Sequence, residues 1–292
     1  MTCLNTVRET LNMTSQQTRR LFITGVSSGL GRALAEEALA DGHHVIGTVR
    51  TEKALQTFEA LGDRASGVLL DVTDFEAIKP AINRIEADIG PIDILVNNAG
   101  YGMEGTIEEA SLPEIRRQFD VNVFGAIAVI QAVLPHMRAR NSGHILNITS
   151  MGGMITMPGL GLYHGTKFAL EGISEALGKE VAAFGIHVTA VEPGAFRTDW
   201  AGRSMIRVER SLPEYQAVFA TLHERRAANN APQLGDPKRA ARAMLDILKA
   251  GTPPAHLLLG TDAVELVGEK LLALQAEFQQ WKDLSCSTDS QI

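Results

Sequence analysis

Seven short runs of apolar and β-branched residues recur along this chain, separated by stretches with helical periodicity. The runs are RLFIT (20–24), HVIGTV (44–49), GVLLD (67–71), IDILVNN (92–98), HILNITS (144–150), HVTAVEP (187–193) and HLLLG (256–260). Helical patterns fill 30–41, 52–61, 74–89, 112–139, 160–184, 236–250 and 263–282. Strands that alternate with helices read as βαβ units, which build a parallel sheet covered by helices on both faces. Near-continuous apolar strands such as DILV fit a sheet buried on both sides. The expected fold class is therefore α/β: a doubly wound, seven-stranded parallel sheet in a single domain over 19–262. Residues 1–18 read as a flexible lead-in, and 263–292 as a C-terminal helical extension ending in a disordered tail, SCSTDSQI. The stretch 199–235 breaks the rhythm. It is rich in Arg, Ala, Asn and Met, shows no strand pattern, and is expected to form a lid over a substrate.

Other properties narrow what such a domain does. Apolar residues make up 45% of the chain, enough for a large core. A net charge of −7 argues against general attraction to nucleic acid or to an anionic membrane. The longest apolar run, GAIAVIQAVL at 125–134, is too short to span a bilayer and contains Gln131. Cys3 and Cys286 stand near opposite ends, with no spacing for a metal site or a disulfide framework. They read as reduced thiols of a soluble, cytoplasmic protein without a bound metal.

The first strand runs straight into TGVSSGLG (24–31), and a helical pattern follows. Strand, glycine-rich turn and helix is the context of a phosphate-binding loop. Gly25, Gly29 and Gly31 permit a tight turn and close backbone approach. Ser27, Ser28 and Leu30 lie where free N–H groups at a helix start face an anion. The spacing is G-x3-G-x-G rather than the G-x-G-x-x-G of dinucleotide folds at large. At the end of the second strand, where NAD-binding sheets carry an acid for the ribose hydroxyls, stand Val49 and Arg50. A neutral residue followed by a guanidinium favours a phosphorylated ribose, hence NADP(H) over NAD(H), with Arg32 in a lesser role. Asp71, followed by Val72, is placed either to accept from an adenine amino group or to join Asp74 in a helix-cap cluster.

In order along the chain, TGVSSGLG (24–31), DV (71–72), NNAG (97–100), Asn122, Ser150, YHGTK (163–167) and PGAFRT (193–198) resemble the short-chain dehydrogenase/reductase family. The resemblance spans about 19–260 and points to its single-domain oxidoreductase branch, with a Rossmann-type sheet. It implies a catalytic set of Asn122, Ser150, Tyr163 and Lys167, with Tyr163 and Lys167 also touching the cofactor. It implies that Asn122 bends its helix and holds a water feeding protons to Lys167. It further implies cofactor contacts from Asn98, Ala99, Gly100, Pro193, Gly194, Phe196 and Thr198.

The chemistry supports the same residues independently. Tyr163 and Lys167 are four apart and share one face of a helix. A phenol ordinarily titrates near 10, and a neighbouring ammonium, together with the positively charged nicotinamide of an oxidised complex, favours the phenolate. Tyr163 is thus expected to titrate below a free phenol and to act as general acid/base. Ser150, at a strand end, is placed to bond the substrate oxygen. Thr149 should point the other way by strand alternation. His164 points about 100° away from Tyr163 around the helix and is not expected to be catalytic. His43 and His44 are expected to be solvated.

Loops at 100–105, 151–159 and 196–206 offer Met103, Met151, Met154, Phe196, Trp200 and Met205. Methionine adapts to irregular apolar shapes, so the expected substrate is a lipophilic ketone, aldehyde or alcohol. The alternatives are an NAD-dependent alcohol dehydrogenase of the same family and a non-catalytic dinucleotide sensor, the latter disfavoured by the complete catalytic set. Helices 112–139 and 160–184, apolar on more than one side, suit a homodimer or homotetramer.

Overall fold

The computed structural model describes residues 18–198, 204–217, 219–220 and 235–290. The expected lead-in at 1–18 (apart from residue 18), Trp200 and most of the expected lid lie outside the described residues.

Seven parallel strands form one sheet in the order β3-β2-β1-β4-β6-β7-β9. They are β1 (Arg20–Ile23), β2 (His44–Val49), β3 (Ala65–Leu69), β4 (Ile94–Asn97), β6 (Gly143–Ile148), β7 (Ile186–Pro193) and β9 (His256–Leu259). All seven expected strands are present, with β3 starting two residues early. Two further strands were not foreseen. β5 (Gly102–Glu104) and β8 (Met205–Arg207) pair in parallel as a small separate ladder. β8 lies in the stretch expected to hold no strand. Three residues are too few to show an alternation, and what sets the register is a long-range contact, Gly102 N–H donating to Ser204 O at 2.8 Å.

The helices are α1 (Gly29–Ala40), α2 (Glu52–Glu59), α3 (Phe75–Asp88), α4 (Leu112–Phe119), α5 (Gly125–Ala139), α6 (Gly161–Val181), α7 (Pro237–Ile247), α8 (Thr261–Gln280) and α9 (Lys282–Cys286). Local chemistry sets several starts. Thr51 and Asp74 cap α2 and α3, and Ser111 with Glu114 forms a reciprocal capping box on α4. α9 runs through Ser285 and Cys286, so the tail expected from residue 285 to be disordered begins as helix.

Strand alternation divides the core in two. Leu21 and Ile23 pack with Leu34, Ala38, Met244 and Leu245 of α1 and α7; Phe22 packs with Ile82, Val133, Met137 and Leu177 of α3, α5 and α6. Leu112–Ala139 is long and apolar enough by composition to cross a membrane, yet Val129, Val133 and Met137 are fully buried against the sheet. His43 is buried as well, accepting from Arg19 N–H at 3.2 Å. Arg19, just before β1, packs on the turn between α1 and β2, so the expectation that this histidine is solvated fails.

Candidate active site

The strand order reverses between β1 and β4, and ligands of open α/β sheets bind in the crevice at the strands' carboxyl ends there. Gly25 and Gly29 hold φ of +76° and +64°, a left-handed backbone that glycine adopts freely. At Gly31 a Cβ would lie 2.3 Å from Asn98 Nδ2 and 2.5 Å from Gly25 O. That close approach brings α1 onto the exit of β4. Asn98 Nδ2 donates to Thr24 O and Gly25 O, both at 2.9 Å. The N–H groups of Asn98 and Ala99 donate to Thr24 Oγ1 at 2.9 and 3.0 Å. The Asn98 carboxamide therefore braces the glycine turn. Ser28 precedes α1 without a side-chain cap, so the first-turn N–H groups, which have no intrahelical acceptor, face the crevice. Among the described residues Gly29 has only Thr198 near on its open side, 4.0 Å from where a Cβ would sit. An uncapped helix start over an unobstructed glycine turn fits a pyrophosphate.

At the far end of this cleft, β2 closes on buried Val49 and exposed Arg50. Arg32 is drawn instead to Glu36 at 2.6 Å. Asp71 accepts from Thr73 N–H and Thr73 Oγ1 at 2.9 and 2.8 Å, both through Oδ1. Burial pushes its carboxyl up, but those two bonds and the Arg50 charge prevail and hold it below the usual carboxylate range. Asp74 alone caps the helix. Val72 packs against Gly125 at the start of α5.

Ser150 follows β6 and receives the Gly152 N–H on Oγ at 3.0 Å. Thr149, the neighbouring hydroxyl, turns away and donates to Val191 O at 2.8 Å. Tyr163 and Lys167 lie one turn apart on the buried face of α6, with Nζ 5.8 Å from the ring centroid. Nζ donates to Ile148 O at 2.8 Å. Burial pushes the Tyr163 phenol up to about 12, opposed by its bond with Ser150. Burial brings Lys167 down to about 8, opposed by the charge of Glu171. In the chain by itself burial therefore places the phenol above its free value, opposite to the direction expected from the neighbouring ammonium.

The bend expected at Asn122 is present as a π-helical turn, Asp120–Phe124, between α4 and α5. The Asn122 carboxamide accepts from Tyr101 N–H at 3.0 Å and donates to Tyr101 O and Thr166 Oγ1 at 2.9 and 3.0 Å. It locks the 100–101 turn to α6. Gly100 is needed at that lock, since a Cβ would stand 3.2 Å from Asn122 Oδ1 and 3.8 Å from Lys167 Nζ.

Several residues that shape the site escaped sequence reasoning. His164 is not catalytic in position, but it braces the loop beyond Ser150. Its Nδ1 bonds Gly152 O at 2.7 Å and its Nε2 accepts the Met157 N–H at 2.9 Å. Asp262 of α8 fixes the turn after β7: Ala195 N–H donates to its Oδ2 at 2.7 Å, and Gly194 leaves it the room, a Cβ there falling 2.2 Å from Oδ1. Pro193 ends β7 beside this turn. Phe196 is buried in the core under α7, and Thr198 N–H bonds Phe196 O at 2.7 Å. Met103 and Met205 are buried in the β5–β8 ladder, whereas Met151 and Met154 are partly exposed.

Behind Lys167, one turn further along α6, Glu171 is 4% exposed and its carboxylate lies among Thr149, Glu192 and His256. Burial lifts it to about 7. Its spacing of four from Lys167 was the signal available in the sequence. His256 Nδ1 lies 3.6 Å from Glu171 and 2.7 Å from Glu192. The shorter separation is a direct hydrogen bond, since two ligands at about 2.1 Å on one tetrahedral ion would stand roughly 3.3 Å apart.

The pattern of the short chain dehydrogenase family matches residues 19–207. Oxidoreductase BOA17 of Botryotinia fuckeliana is 39% identical over 273 residues, 93% of this chain and 99% of that protein. An NADPH-dependent 3-dehydrocapnine reductase of Ornithobacterium rhinotracheale is 33% identical, covering 76% of this chain and 81% of the relative. The crystal structure of a short-chain dehydrogenase from Streptomyces avermitilis superposes with a TM-score of 0.87 at 41% identity, covering 94% of this chain and all of that one.

Proposed function

Because this chain belongs to the short-chain dehydrogenase/reductase family and is an oxidoreductase acting between CH–OH and C=O groups, we propose that it is an NADP(H)-dependent reductase of lipophilic ketones or aldehydes. The observation that carries the reading is the buried Tyr163 phenol, bonded to Ser150, with Lys167 one turn behind it. A nicotinamide, when bound, supplies the hydride. The chain's own groups handle the oxygen and the proton. Ser150 Oγ–H bonds the carbonyl oxygen and steadies its developing charge. Tyr163, with a pKa of about 12, is protonated across the neutral range and gives its proton to that oxygen. Lys167, charged below about 8, steadies the phenolate left behind. Asn122 holds a water that returns protons toward Lys167.

Arg50 carries the cofactor preference. It is exposed just past the end of β2, and its charge reaches Asp71. The relative named for NADPH dependence supports the same choice. Met151 and Met154, partly exposed beyond Ser150, supply apolar surface that suits a lipophilic substrate, while Met103 and Met205 are packed beneath it in the β5–β8 ladder. The proposal includes a cytoplasmic setting and a homodimer or homotetramer joined through α4–α5 and α6, whose outer faces expose Phe124 and Phe168. NADPH oxidation against a panel of carbonyl compounds tests the substrate class. Lipophilic ketones should exceed small charged ones by tenfold or more in kcat/KM, a ratio of about 1.4 kcal/mol. A preference for the charged set sinks the substrate class. Tight NADPH binding with no turnover points to the sensor alternative.

A further inference from the structure

α8 leaves the body of the protein part-way along its length. Ala263 and Val267 are buried against the domain, but further on Leu271, Leu272, Phe278 and Trp281 are 52%, 68%, 68% and 54% exposed. Apolar side chains recur at Val264, Val267, Leu271, Leu274, Phe278 and Trp281. Those alternating steps of three and four are the spacing of a two-helix seam. Leu271, Leu274 and Phe278 line a shallow groove of 420 Å³ with Gln275, Gln279 and Lys282. Within the described residues of the chain nothing covers it. The flanks carry charge in a particular order, with Lys270 and Glu277 seven apart on the same edge of the seam.

We propose that this seam docks a second copy of the chain, the two α8 helices lying antiparallel about a twofold axis between Leu271 and Leu274. In that register Leu271 faces the partner's Leu274. Phe278 reaches the foot of the other helix, where the partner's Val267 turns into its own domain, and Trp281 meets the partner's exposed Val264. The charge order then becomes self-complementary, since each Lys270 stands by the partner's Glu277, twice in an isologous pair. The area is of the right size. Four aromatic rings at their present exposures offer roughly 500 Å², and the leucines raise this toward the ~1,000 Å² a specific interface needs. A lipid surface is a poorer occupant. Asp262, Glu265, Glu269, Glu277 and Asp283 outnumber Lys270 and Lys282 on α8 and α9, whereas helices that lie on anionic bilayers carry a basic polar face.

Sedimentation velocity and light scattering on the full chain test this, with circular dichroism as the check on folding. Phe278→Glu should halve the mass of the wild-type assembly, whether that assembly is a dimer or a larger form that also uses α4–α6. Lys270→Glu and Glu277→Lys should each weaken self-association about fivefold or more through two reversed pairs, and the double variant K270E/E277K should return to within twofold of wild type. None of these residues touches the catalytic crevice, so ketone reduction serves as an independent control. Four results would overturn the proposal. They are an unchanged mass for Phe278→Glu, a monomeric wild type at every concentration, failure of the double variant to recover, and co-sedimentation of wild type with phosphatidylserine vesicles in place of self-association. A parallel pair is excluded by the same set, because it would set Lys270 beside the partner's Gln275 and leave Lys270→Glu without effect.

Discussion

Replacing Gly31 by alanine tests whether the glycine turn is built by close packing. The added Cβ would fall 2.3 Å from Asn98 Nδ2 and 2.5 Å from Gly25 O, one a side chain held by two bonds and the other backbone. Relief requires α1 to back away from β4 or the Asn98 carboxamide to leave. Overpacking of this kind costs about 1–3 kcal/mol. Losing the bonds to Thr24 O and Gly25 O adds roughly 0.5–1.5 kcal/mol each, for a total of ~4 kcal/mol. In a domain of this size that lowers Tm by roughly 8–16 °C. The displaced turn is the proposed pyrophosphate cradle, so the Kd for NADPH, measured by fluorescence titration, should rise at least tenfold, which is about 1.4 kcal/mol. Gly172→Ala is the matched control. It lies within α6 with nothing near where its Cβ would be, so it should leave Kd unchanged and stabilise by about 0.4–1 kcal/mol. Wild-type Tm and Kd in Gly31→Ala would refute the packing argument.

Three further outcomes are expected. Arg50→Ala should raise the Kd for NADPH by tenfold or more and leave that for NADH within twofold; equal effects on both would remove the main support for NADP(H). In the reductive direction kcat/KM should fall as pH rises past about 8, where Lys167 loses its charge. Lys167→Arg, which keeps its charge, should abolish that falling limb even if its rate is lower, and an unshifted limb would assign it to another group. Glu171 and His256 each make stability fall as pH rises, because their folded-state pKa values lie above their unfolded ones. Burial raises Glu171 from its ordinary value of 4.5 to about 7, so the cost of ionising it accrues across pH 4.5–7. Burial lowers His256, but Glu192, Glu171 and Glu175 outweigh that and raise it above 6.5, so its stabilising charge is lost as pH climbs through the raised value. Glu171→Gln should flatten the urea midpoint between pH 5 and 8; an unchanged slope would place the titration elsewhere.

The sheet was legible because each strand is a local apolar run, and the crossover rule then leaves one kind of architecture. Tyr163, Lys167, Ser150 and Asn122 were legible by fixed spacing and by their positions at strand ends or within a helix. The contacts that fix their protonation were not. The phenol's upward shift depends on how completely α6 is covered, which no spacing of four residues reports. The brace from Asn98 to the glycine turn joins positions 74 apart, and Asp262 reaches Ala195 across 67. The β5–β8 ladder likewise joins two segments about a hundred residues apart, each too short to show a period. His164 looked idle because its angle around the helix excluded it from Tyr163, and that same angle aims it at the loop it holds.

The central claim is that Tyr163 delivers the proton. Tyr163→Phe removes the hydroxyl and keeps the buried ring. Ketone reduction under saturating NADPH should fall by about 10²–10⁴-fold, the usual worth of a positioned general acid, while the Kd for NADPH stays within threefold of wild type. Equal turnover in wild type and Tyr163→Phe would contradict the account.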